Sequence, residues 1–182
     1  VTVSGNTVTI NPTSDLSNST NYYLEIANTA FTDAVGNNYA GIADNTTWNF
    51  TTVAPPNLAP VLDLNGAGAG INYNTTFTRG GGAVAISDTS NLSLTDDGNN
   101  INSATVRITN LLNGAAEVLS AVTTGTNIAA SYNNGILTLT GSDTVANYQT
   151  VLRSIAYNNT ATIPNTTARN IEFVVNDGSL DS

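Results

Sequence analysis

Apolar residues alternate with polar ones along most of the chain. Val1 and Val3 alternate, then Val8 and Ile10, with Ser4-Gly5-Asn6 between them as turn chemistry. Tyr22, Leu24 and Ile26 form the next period-2 run, and Trp48 and Phe50 follow. Later come Ala104, Val106 and Ile108, then Leu137 and Leu139, then Ile171, Phe173 and Val175. A strand turns successive side chains to opposite faces, so each run predicts a strand with one apolar face. The runs are short and bounded by Gly, Asn, Asp or Ser, which predicts an all-β fold of sandwich type.

One segment breaks the period. In 142–153 the apolar residues Val145, Tyr148 and Leu152 recur at helical spacing. Ser142 or Asp143 is placed to cap the first turn, where a short side-chain oxygen accepts from a free N–H. Arg153 suits the negative end of the helix dipole. A single short helix joining two strands is therefore expected.

Residues 54–60 carry Pro55, Pro56 and Pro60. Proline fixes φ and lacks an N–H, so this stretch reads as an extended, stiff linker. It divides the chain into 1–53 and 61–182. The second block is sized for a sandwich; the first is too small to bury a core by itself. With the abrupt start at Val1, this predicts that further strands of the first domain lie upstream.

Composition narrows the chemistry. The chain has 182 residues, a net charge of −9 and only 9 % charged residues. There is no Cys and no His, and all four cationic side chains are arginine. Thiol and histidine nucleophiles, a Ser-His-Asp triad, Cys/His zinc sites and disulfides are thereby excluded. Four scattered arginines in an acidic chain do not neutralise a phosphate backbone, so no nucleic-acid partner is expected. No apolar run approaches the roughly 20 residues of a membrane helix, so no direct membrane insertion is expected. A chain without thiols or thioethers is indifferent to oxidation, which suits an extracellular setting.

What remains is oxygen chemistry. Asp96-Asp97-Gly98-Asn99-Asn100 is the densest acidic cluster. Two adjacent carboxylates repel unless solvated or bridged by a cation, and Ca²⁺ takes six to eight oxygens of the kind that flexible Asp/Asn/Gly loops supply. Asp96, Asp97 and Asn99 are thus the first candidate ligands. Asp177 and Asp181, in Asp177-Gly178-Ser179-Leu180-Asp181, and Asp88 are the next. The spacing is not that of an EF-hand. Asp-Gly is also favoured in an ordinary exposed turn, and for each single Asp the turn role stands beside the ligand role. Asp33-Ala34-Val35-Gly36-Asn37 reads as a loop closed by Asp33 on nearby N–H groups, with Gly36 or Asn37 at positive φ.

Two resemblances add to this reading. Asn11-Pro12, Leu16, Tyr22-Tyr23-Leu24-Glu25-Ile26, Asp33-Ala34-Val35-Gly36-Asn37 and Trp48-Asn49-Phe50-Thr51-Thr52 resemble the C-terminal half of a bacterial Ig-like domain of S-layer and surface proteins. Residues 58–182 resemble a bacterial cadherin-like repeat of large secreted adhesins. That likeness is carried by Ala59-Pro60-Val61-Leu62-Asp63-Leu64, Leu94-Thr95-Asp96-Asp97, Ala104-Thr105-Val106-Arg107-Ile108, Gly135-Ile136-Leu137-Thr138-Leu139, Tyr148-Gln149-Thr150-Val151-Leu152-Arg153 and Ile171-Glu172-Phe173-Val174-Val175-Asn176-Asp177-Gly178. The resemblance implies tandem sandwiches and an extracellular or cell-surface location. It implies neighbouring repeats of the same polypeptide, and cell-surface or matrix ligands, as partners. It also implies a last strand after Ser182, and Ca²⁺ at the seams between repeats, where Asn57, Asp63 and Glu117 join the candidate ligands.

The expected function is an extracellular adhesion or spacer module stiffened by Ca²⁺. The alternatives are a carbohydrate-binding or accessory module of an extracellular hydrolase and a ligand-free spacer. Trp48 with Tyr22 and Tyr23 would form a sugar platform if exposed, but the alternation of Trp48 and Phe50 predicts that they point into a core. No pair of acids is placed for glycoside hydrolysis, so no enzyme activity is expected.

Overall fold

In the computed structural model, which describes residues 1–182, the β-rich runs become antiparallel strands and the chain divides into two compact units, Val1–Pro56 and Asn57–Ser182. The fold is all-β with a single short α-helix in the second unit.

The first unit is built of two ribbons. Strands β1 (Thr2–Ser4) and β2 (Thr7–Thr9) pair across Gly5-Asn6, with Val3 opposite Val8. Strands β3 (Asn21–Tyr23) and β4 (Asn49–Thr51) pair with Tyr22 opposite Phe50, whose rings stack at 5.9 Å. The pairing runs on through Leu24 N–H to Trp48 O (3.0 Å) and a bridge between Ile26 and Ile42. Gly41 beside that bridge is required: it sits at φ +84°, and a Cβ there would lie 2.6 Å from the Ile26 carbonyl oxygen. The loop at Asp33 closes as its sequence implies. Asp33 Oδ1 accepts from Val35 N–H (3.0 Å) and Asn37 N–H (2.8 Å), with Gly36 at φ +92°.

Tyr22, Leu24 and Ile26 are half-buried and alternate with exposed Tyr23 and Glu25, as their period requires. The expectation that Trp48 and Phe50 are core residues is overturned: they are 51 % and 45 % exposed. Alternation selects a face, but a two-stranded ribbon is too narrow to seal the side chains on it.

The second unit contains every fully buried apolar side chain of the chain. Its strands are β5 (Val61–Asp63), β6 (Val84–Ala85), β7 (Ser93–Thr95), β8 (Asn100–Ile108), β9 (Glu117–Ser120), β10 (Ala129–Asn133), β11 (Ile136–Thr144), β12 (Ala156–Asn159) and β13 (Ile171–Asn176). One sheet has the order β10-β11-β8-β13, a second the order β6-β12-β9, and β5 pairs with β7. The inner faces meet in one core, to which the first sheet brings Ala104, Val106, Leu139 and Val175 and the second Leu119 and Tyr157. On β8, Ile101 and Ala104 are both buried although three positions apart. The partner strand β11 carries one extra residue between Thr140 and Asp143, which sets Asp143 opposite Ile101.

The helix α1 (Val145–Arg153) buries Tyr148, Val151 and Leu152 and packs on β7, β8 and β11. Its cap is one or two residues later than the sequence suggests. Thr144, not Ser142 or Asp143, accepts from Asn147 N–H at 3.2 Å. Asp143 is buried instead and accepts from Asn127 N–H (2.7 Å), Thr144 N–H (2.7 Å) and the Asn147 amide (2.7 Å). Arg153, in the last turn, donates to the Leu92 carbonyl through Nε (3.1 Å) and Nη2 (2.6 Å).

Candidate functional site

The acidic loops of the second unit sort by strand end. β8 begins at Asn100, where β13 finishes, because Asn176 lies opposite Ser103. β7 reaches Thr95 opposite Val61, so its following loop, with Asp96 and Asp97, lies beside the residues that lead into β5. Strand register alone therefore gathers the 96–99 loop, the 177–181 loop and Asn57-Leu58 at one end of the unit.

The hydrogen bonds there are specific. Asp97 Oδ2 accepts from Leu58 N–H at 3.2 Å, and Asp177 Oδ2 accepts from the Asn57 amide at 2.7 Å. Two consecutive residues at the start of the unit are thus held by carboxylates from two distant loops. Asp96 Oδ2 accepts from Gly98 N–H at 2.9 Å, while its Oδ1 is buried without a hydrogen-bond partner. A buried, unpartnered carboxylate oxygen is costly and marks a place for a donor or a cation. Asn99 contributes its carbonyl to the Val145 N–H at the head of α1 (3.3 Å).

Asp177 also accepts on Oδ1 from Ser179 N–H (2.6 Å) and Leu180 N–H (2.8 Å). The Leu180 N–H, the Asn57 amide and the Ser179 N–H hold its carboxyl below the usual aspartate range. Asp181 accepts from the Asn176 amide at 2.7 Å.

Asp88 lies apart from these. Its N–H donates to Leu64 O (2.8 Å), past the other end of the β5–β7 ladder. Its carboxylate closes its own turn on Ser90 and Asn91 N–H (both 2.8 Å), and those bonds, Asn91 first, lower its pKa. Asp63 likewise accepts from Asn65 and Gly66 N–H, both at 2.9 Å. Nowhere do three acidic side chains converge into a group ready to hold a metal. A cation at the Asn57 end would need amide, backbone or solvent oxygens besides carboxylates, which Ca²⁺ accepts.

Glu117 is not at a seam. It is 0 % exposed and forms the hub of a buried polar network. It pairs with Arg169, accepts from the Tyr157 hydroxyl (2.7 Å), and takes the N–H groups of Leu112 (2.8 Å) and Asn113 (2.7 Å). Burial pushes its pKa up, but the Asn113 N–H, the Tyr157 hydroxyl and Arg169 outweigh it and the carboxyl is held low. Burial and then the Glu117 carboxylate push the Tyr157 hydroxyl up to about 12. No local spacing connects Glu117, Tyr157 and Arg169, so the sequence carries no signal for this network. Likeness to repeats with interdomain cations assigned Glu117 a role that its burial rules out.

No helix is long and apolar enough to cross a membrane. None of the curated proteins compared matches the chain, and no solved structure does. The likeness of 58–182 to cadherin-like repeats thus has no counterpart in these comparisons. Residues 1–52, by contrast, match the family model described as a bacterial Ig-like domain, a kind of domain that occurs in bacterial surface proteins.

Proposed function

We propose that this chain is an extracellular adhesion or spacer module of a bacterial surface or secreted protein, with Ca²⁺ bound at the Asn57 end of its second unit. The observation that carries the reading is the double hold of Asp97 and Asp177 on Leu58 and Asn57, beside the unpartnered Asp96 Oδ1. The Ig-like match of residues 1–52 supports the surface location.

Asp96, Asp97 and Asp177 would supply carboxylate oxygens and Asn57 an amide oxygen. The cation neutralises the negative charge that these loops gather. It ties the chain entering the second unit to two loops of that unit, which limits bending at the Pro-rich segment and favours an extended array. Selective binding to the folded state adds about 2.7 kcal/mol at a hundredfold excess over Kd. The test is thermal unfolding in millimolar Ca²⁺ against EDTA, with Asp177→Asn as the variant. The melt is expected to rise with Ca²⁺ in the parent and less in the variant. A melt that ignores Ca²⁺ leaves a ligand-free spacer.

One observation favours a second reading, carbohydrate binding by the first unit: Trp48 is 51 % exposed. An exposed indole stacks on the apolar face of a sugar ring. Glycan-array binding that disappears in Trp48→Ala, with the circular dichroism unchanged, supports this reading; an array blank for the parent protein removes it.

A further inference from the structure

An Asn or Asp followed by Gly can react with its own main chain. Glycine has no side chain to shield its nitrogen, which adds to the neighbouring side-chain carbonyl carbon and closes a cyclic imide. Such pairs begin here at Asn65, Asp97, Asn113, Asn134 and Asp177. In all but one the glycine N–H is held. Gly66 donates to Asp63 Oδ1 (2.9 Å), Gly98 to Asp96 Oδ2 (2.9 Å), Gly135 to the Tyr132 hydroxyl (3.0 Å) and Gly178 to Asn176 Oδ1 (2.7 Å). Each bond fixes the peptide plane and engages the proton that the nitrogen must lose. Gly114 differs: its N–H has no acceptor in the protein, and the glycine is exposed with open space around it.

The Asn113 side chain is held by its oxygen. That atom accepts from Arg169 Nη2 (2.7 Å), Asn165 N–H (3.0 Å) and the Asn159 amide (3.1 Å). A guanidinium only donates, so the bonded atom is the oxygen and the NH2 group is the one free to leave. Donors aimed at a carbonyl oxygen hold the negative charge that gathers there when a nucleophile adds to the carbon. Arg169 is itself fixed by its pair with Glu117, which also accepts the Asn113 N–H at 2.7 Å.

We propose that Asn113-Gly114 is the site at which the folded protein deamidates spontaneously. Gly114 N loses its proton to solvent and bonds to Asn113 Cγ, and the oxyanion at Oδ1 rests on Arg169, Asn165 and Asn159. The Cγ–Nδ2 bond then breaks and ammonia leaves. Water opens the imide at Cγ to aspartate, or at the main-chain carbonyl to isoaspartate. Asn113 has ψ 16°, so closure first turns the peptide that follows it. That rotation breaks the bond from Ala116 N–H to Asn113 O (3.2 Å), in a turn that lies outside every strand. Either product sets a new carboxylate beside Glu117, so two anions compete for Arg169. Isoaspartate also lengthens the main chain by a methylene just before β9. The buried polar network thus loosens as the protein ages.

The test is peptide mapping by mass spectrometry of the chain incubated in mildly alkaline buffer, with enzymatic methylation to mark isoaspartate. Exchange of the amide for a carboxyl raises the mass of the reacting peptide by a single unit. In the folded protein this is expected at Asn113 about tenfold or more faster than at Asn65 or Asn134, because only there do donors await the oxyanion. In concentrated urea, where these surroundings are lost, the rates are expected to converge. Arg169→Gln, shown by circular dichroism to be folded, is expected to lose the preference for Asn113; where it does not fold, the comparison of folded and urea-unfolded parent decides. Asn65 or Asn134 reacting as fast as Asn113 in the folded protein, the same ranking in urea, or a folded Arg169→Gln that keeps the preference overturns the proposal. So does an Asn113 that survives in the folded protein and reacts in urea, which would make the network a shield.

Discussion

The two units use the same alternation and reach opposite ends of burial. In the first, Tyr22, Leu24 and Ile26 keep strict period 2, yet none of its apolar side chains is fully buried. In the second, Val106, Leu139, Val151 and Val175 are sealed. The difference lies in layers. A ribbon of two strands has one neighbour per strand, whereas β8 sits between β11 and β13 and shares its core with a second sheet and a helix. A hydrophobic pattern thus says which side of a strand should be covered and leaves open what covers it.

Substitutions sharpen this contrast, and the largest effect is expected at the buried ion pair. Glu117→Ala leaves Arg169 without its carboxylate in a sealed site, and loss of one partner of a buried pair costs about 3–5 kcal/mol. Denaturant unfolding of the second unit should read that loss, and a change within experimental error would mean the network is dispensable. Leu139→Ala comes next. The side chain is fully buried, and such truncations cost about 2–5 kcal/mol by lost transfer and a residual cavity. The same melt checks it.

Acid should test the buried carboxylates of the second unit. Glu117 and Asp143 have folded-state pKa values below their ordinary 4.5 and 3.8. A depressed carboxyl stabilises the fold above its unfolded value and loses that contribution as pH falls through the folded one. The second unit should therefore weaken below about pH 4, where unfolded carboxylates start to take up protons first. A pH series of melts reads this, and Glu117→Gln should flatten it. The smallest effect is expected from Phe50→Ala in the first unit. At 45 % exposure this ring behaves nearly as a surface residue, and its loss is expected to cost less than about 1 kcal/mol. A cost equal to that of Leu139→Ala would show the first unit to have a true core.

What was legible in the sequence was local. The strands around Val106, Leu139 and Phe173 and the helix at 145–153 follow from periodicity, because side-chain direction repeats every two or 3.6 residues. The Asp33 loop was legible because an Asx turn closes on its own next residues. The helix cap was off because Ser142, Asp143 and Thr144 all have the right oxygen, and only the burial of Asp143 against Asn127 decides among them. The meeting of Asn57 with Asp177, and of Glu117 with Arg169, depends on strand order, which no short window records. The exposure of Trp48 has the same origin: it depends on what packs over its ribbon, which no local spacing encodes.

Many acidic turns of this chain close on themselves, and this has a colloidal consequence. The carboxylates of Asp33, Asp88 and Asp177 each accept main-chain N–H groups of their own loop, which lowers their affinity for protons. They stay anionic as the medium sours, when free aspartates have begun to neutralise. Copies of the molecule therefore keep part of their mutual repulsion below about pH 4, where free aspartates lose their charge, and loop geometry as well as composition sets solubility there.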